Sequence, residues 1–137
     1  MADLAPTAGS VVADEGISKT EQIAGASIAA GDWLYMDTAN NNVMKLAKAD
    51  GTALEATVYG MALNTASIGQ PVLVARGGDV DFGCTLTVAA VYILSATAGK
   101  ICPVADLTSS SYLSIVGYGT AADNLHIAIQ NSGVEKP

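Results

Sequence analysis

Basic side chains are scarce in this sequence. Six lysines and arginines stand against thirteen aspartates and glutamates, a formal net charge of −7, and Arg76 is the single arginine. Nucleic-acid binders carry the opposite balance, a basic patch facing the phosphates. Binding to nucleic acid or to an anionic membrane is therefore not expected, whereas an acidic excess keeps a chain soluble at high local concentration. Cysteine is rarer still. Cys84 and Cys102 lie 18 residues apart in no Cys-x-x-Cys or Cys/His spacing, so two half-buried thiols are expected, with a disulfide between them left open. The longest apolar stretch, around Val88–Leu94, is far too short to span a bilayer as a helix. No basic segment followed by an apolar core opens the chain, so no signal peptide is expected, and the protein is read as made in the cytoplasm and kept there or packaged from there.

What is present is small, apolar and punctuated. At 137 residues the chain is one domain's worth, and a domain of about this size buries roughly 68–70% of its unfolded surface without help from a metal or disulfide. Much of its hydrophobic half is alanine, and only seven residues are aromatic. Short apolar runs among Gly, Asn, Ser and Thr predict many short strands rather than a few long helices. The expected fold is all-β, a compact barrel or sandwich.

Residues 1–22 read differently from the rest. They hold Pro6, Gly9, Gly16 and four acidic residues with no sustained apolar period, which predicts an extended or disordered N-terminal arm whose sticky points are Val11, Val12 and Ile17. From Ile23 a β-domain runs to about residue 133. Trp33-Leu-Tyr-Met, an Asn-rich turn after Asp37 and Val43-Met-Lys-Leu form a hairpin. Val58-Tyr-Gly-Met-Ala-Leu and Gln70–Arg76 supply two more strands, and Gly77-Gly78 then turns into Asp79-Val-Asp-Phe. The second half repeats the first, roughly residues 31–78 against 89–131. Trp33-Leu-Tyr-Met matches Val91-Tyr-Ile-Leu at an offset of 58, Val58-Tyr-Gly matches Ile115-Val-Gly at 57, and Val72–Ala75 matches Leu125–Ala128 at 53. Two units do not make a solenoid; they read as the halves of one closed or sandwiched β-domain. A short helix is expected at Ala49–Ala56 or Leu107–Leu113.

Candidate chemistry is thin. His126 lies in an alternating run with Ala128 and Gln130 on its face, a surface or interface position. Asp79 and Asp81 project from one strand face, a solvated pair rather than a cation loop, and Asp37 with Asn40–Asn42 reads as a turn. No phosphate-binding loop, dinucleotide fingerprint or nucleophile elbow occurs. No catalytic, cofactor-binding or metal residue is assigned, and an enzyme is not expected. Met44-Lys45 after a hairpin turn suggests a biotinyl-like carrier, but Lys45 falls inside a strand, without the glutamate and second glycine such domains place before the Met-Lys.

The run Gly31-Asp-Trp-Leu-Tyr-Met-Asp-Thr, with Val43-Met-Lys-Leu, Val58-Tyr-Gly-Met-Ala-Leu and Val72-Leu-Val-Ala-Arg-Gly-Gly, resembles tailed-phage capsid decoration (cement) proteins, including the lambda-type head decoration family. Tyr92–Asp106 is similar to phage head-decoration and head-fibre sequences, and the resemblance covers about residues 23–130. It implies a virion protein on the capsid exterior that binds the major capsid protein and bridges its subunits, as a homo-oligomer with a trimer favoured. The arm would add a strand to a capsid sheet edge, and its deletion would leave the body folded. Trp33 would serve as a core or intersubunit anchor. The doubled unit departs from the shorter lambda-type domain. A head fibre or tail component, or a binding or carrier module, remains the alternative.

Overall fold

The computed structural model describes residues 3–14 and 16–137. It is nearly all β, a curled antiparallel sheet forming a half-barrel. The strands are β1 (Val12–Ala13), β2 (Ser18–Ile23), β3 (Trp33–Asp37), β4 (Val43–Leu46), β5 (Gly60–Ala62), β6 (Pro71–Asp81), β7 (Val91–Leu94), β8 (Ile101–Pro103), β9 (Tyr112–Ala121) and β10 (Asn124–Glu135). The β3–β4 hairpin forms where expected. Its turn places Asn41 and Asn42 in the left-handed region (φ 60° and 59°), which asparagine tolerates better than most residues. The amides of Asn40 and Asn42 close it by donating to Asp37 O.

The internal repeat is visible in the topology. The strand order β4-β3-β5-β6-β10-β9-β7-β8 is one four-strand unit followed by its mirror order, meeting at β6 and β10. Gly60 pairs with Leu34, and Gly117 pairs with the equivalent Tyr92. A Cβ on Gly60 would lie 2.4 Å from Ala75 O, and one on Gly117 would lie 2.0 Å from His126 O. The fourth strands therefore align Ala75 with His126, two residues away from the match suggested by Val72–Ala75 and Leu125–Ala128. Main-chain pairing sets this register, whereas similarity of short aliphatic runs does not distinguish neighbouring ones.

Two expectations need correction. Gly77-Gly78 is no turn: β6 runs through it as one 11-residue strand, bent where Gly78 adopts φ 110°. Before the bend β6 pairs with β5 and β2; beyond it β6 pairs with β10 and β1. Nor does the described part of residues 1–22 stand off the body. Leu4 N donates to Ile101 O on β8, Thr7 N donates to Gly83 O, and β1 and β2 run antiparallel to β6. Gly25 N then donates to Met44 O on β4. The segment is extended, but as a strap laid from one sheet edge to the other.

The helices also differ. Val104–Asp106 and Ala8–Ser10 are 3-10 turns, and Leu107–Leu113 leads into β9. Within Ala49–Ala56 only a single turn forms. Thr52 N donates to Glu55 Oε1 and Glu55 N to Thr52 Oγ1, a reciprocal capping box. The cap is that of a helix, but one turn fixes too many dihedrals for the bonds it gains to propagate unaided.

The larger core lies between the halves and draws on both: Trp33, Tyr35 and Met61 from the first, Tyr92, Leu94, Val116 and Leu125 from the second, and Phe82 from the connection between them. The smaller one, with Ile28, Leu34, Met44, Ala62, Val72 and Val74, uses the opposite face of the first half. Alternation explains the division, since Leu34 points away from Trp33 and Tyr35.

Candidate interaction surfaces

The four residues expected to contact a partner are scattered. Val11 is buried in the larger core, and Trp33 is wholly buried there with its ring 6.3 Å from that of Phe82. Of the two roles expected for Trp33, its burial in the single chain corresponds to the core anchor. Ile17 is half-buried over Gly78, where a Cβ would lie 3.1 Å from Ile17 Cα. Only Val12, 56% exposed on β1, offers much surface.

A more coherent surface crosses the outer face of the second half. Val91 pairs with Tyr118, Tyr118 with His126, and His126 with Asp79, and cross-strand partners share a face. His126 Nδ1 lies 2.7 Å from Asp79 Oδ1, and the Tyr118 and His126 rings are 5.1 Å apart. Val91 (37% exposed) and Tyr118 (42% exposed) add apolar surface at one end. At the other, Asn124 Nδ2 donates to Asp14 Oδ2. Asp81 does not join Asp79; its Oδ1 accepts from Gly83 N. Among the described residues no group of three or more His, Cys, Asp or Glu is placed to hold a metal ion. The row is a fixed strip of mixed aromatic, aliphatic and polar contacts. Alternation placed His126 on the correct kind of face, but its partners come from strand order, which the sequence pattern did not contain.

The second feature is a cleft where the halves part. Arg76 Nε donates to Tyr59 O at 2.9 Å, and the guanidinium sits 3.8 Å from the centroid of the Tyr59 ring. Met36, Leu54, Val58, Thr38, Thr57 and Asn131 complete a cleft of about 230 Å³. Asn131 behaves as a piece of main chain, its Oδ1 accepting from Val58 N and its Nδ2 donating to Val58 O. Sequence reasoning missed this place; the one signal was that the lone arginine follows an apolar strand.

The remaining candidates are quieter. Lys45 lies within β4 and bonds Asp37 at 2.9 Å, and that bond raises its pKa, holding the amine charged and poorly nucleophilic. Both thiols are free; Cys84 is half-buried and Cys102 fully buried. Burial, reinforced by Asp3 and Asp106, pushes the Cys102 thiol up to about 11. No family model matches the chain, and no curated protein matches it either.

Proposed function

We propose that the protein acts by binding protein, as a decoration protein that sits on the outside of a tailed-phage capsid and braces neighbouring major capsid subunits. Support comes from the resemblance over residues 23–130 and from one observation that carries the reading: Val91 and Tyr118 pair as exposed neighbours beside the tied His126–Asp79 pair, on strands paired to their neighbours. A contact face already held in place loses little freedom on docking, and an exposed aromatic residue supplies large contact area for its size. Many modest contacts repeated over one lattice would seal it firmly. A trimer at a capsid symmetry axis belongs to the same proposal.

The test is co-sedimentation of the purified protein with heads of the phage that carries it, before and after expansion. Saturable binding at a fixed ratio to capsid subunits is expected with at least one form. Tyr118→Asp, at an exposed position, should weaken that binding at least tenfold while leaving the melting temperature close to the parent's, because a desolvated charge would face the partner. A folded protein that binds neither form overturns the proposal.

A further inference from the structure

We infer that the cleft under Arg76 binds the carboxylate of an acidic side chain carried on a polypeptide segment. No described carboxylate neutralises the arginine in a chain rich in acid. Among the described residues Lys45, Lys48 and Lys100 each pair with an aspartate, whereas Arg76, like Lys19 and Lys136, pairs with none. It is also held still. The Nε bond and the stack on Tyr59 fix the guanidinium plane, and Tyr59 is itself tied through its hydroxyl to Gln22 Nε2 at 3.1 Å. With Nε occupied, the terminal Nη groups have no bond to any described residue, and two parallel N–H donors match a carboxylate.

The walls narrow the class of ligand. Met36, Leu54 and Val58 suit an aliphatic stem, and no acidic residue lines the cleft to repel its charge. Thr57 Oγ1 donates to Ala53 O and Asn131 is engaged with Val58, which leaves Arg76 as the one charged donor. A single guanidinium balances one negative charge; a phosphate dianion would keep an excess beside a protein of net charge −7. A second cleft of about 180 Å³, lined by Tyr112, Ser114 and Ser132, shares Thr57 and Asn131 with the first. Each is smaller than the roughly 300–1,000 Å³ typical of small-molecule sites. Two adjoining side-chain-sized clefts fit successive residues of an extended segment better than a free metabolite.

The experiment titrates the ¹⁵N-labelled full chain with acetyl-Leu-Glu-Leu-amide, its Leu-Gln-Leu counterpart, hexanoate and inorganic phosphate. The Glu peptide is expected to shift the Arg76 Nε–H and the amides of Thr57, Val58 and Tyr59 saturably. The Gln peptide should bind about tenfold more weakly or worse, the scale of a lost charge-assisted hydrogen bond. Arg76→Gln should lose the same factor, with R76K in between because it keeps the charge but not the fork. Each variant's melting temperature is checked first, and Arg76 is exposed. Equal binding of the Glu and Gln peptides, undiminished binding by R76Q, or no saturable shift overturns the inference. So does hexanoate or phosphate binding as tightly as the Glu peptide. None of these outcomes depends on capsid binding, because no capsid is present.

Discussion

Gly60 and Gly117 set how closely the third and fourth strands of each half approach. Each faces a carbonyl oxygen within 2.4 Å of where a Cβ would be, so the backbones sit nearer than any side chain allows. Gly60→Ala and Gly117→Ala are each expected to cost about 1–3 kcal/mol or more in urea unfolding, the scale of forced overpacking. Gly9→Ala, with nothing within 4 Å of its Cβ, should be close to neutral. Both glycines were legible as a repeated apolar-Gly pair; the reason for them was not, because it lies across the sheet. Cys102 gives a second expectation at this scale. The folded chain holds the thiol proton to about 11, against an ordinary 9.0. The folded state thus binds more protons between those values, so this contribution is full below pH 9 and is lost as pH rises towards 11. Cys102→Ala should show a shallower loss of stability over that window than the parent, and equal slopes would refute the assignment.

Among the elements, the N-terminal strap was the hardest to read. Ser18-Lys-Thr-Glu-Gln has no apolar alternation, since the strand is held to β6 by main-chain pairing while most of its side chains face solvent. Such a strand carries its information in the partner's free edge rather than in its own residues. The bend in β6 misled for a related reason, because a Gly-Gly pair marks a turn as readily as a kink. The hairpins and the doubled unit were legible, because their apolar runs repeat and their turns use Asn and Gly. The strap changes what truncation should do. Deleting residues 1–22 removes β1 and most of β2, uncovers the β6 edge and strips Val11 from the core. Val11 alone is worth about 2 kcal/mol, and the bare edge invites pairing between copies. The truncated protein is expected to unfold at clearly lower urea concentration and to self-associate in sedimentation velocity. Unchanged stability in a monomeric truncation would show that the strap does not support the body.

At the scale of the whole molecule, two similar halves suggest two similar folding units, yet the connections argue for one. β6 belongs to both halves, pairing with β2 and β5 on one side of Gly78 and with β1 and β10 on the other. The larger core mixes their side chains, and the strap touches β8 and β4, the two outermost strands. Neither half can therefore close its core alone. A fragment of residues 89–137 would keep β7–β10 but lose β6, β1 and the Trp33–Phe82 side of the core. We expect the full chain to unfold in a single calorimetric transition whose van't Hoff and calorimetric enthalpies agree, and the fragment to lack slow amide exchange. Two resolved transitions, or a fragment with protected amides, would mean that each half folds independently and that β6 and the strap only fasten together parts that are already formed.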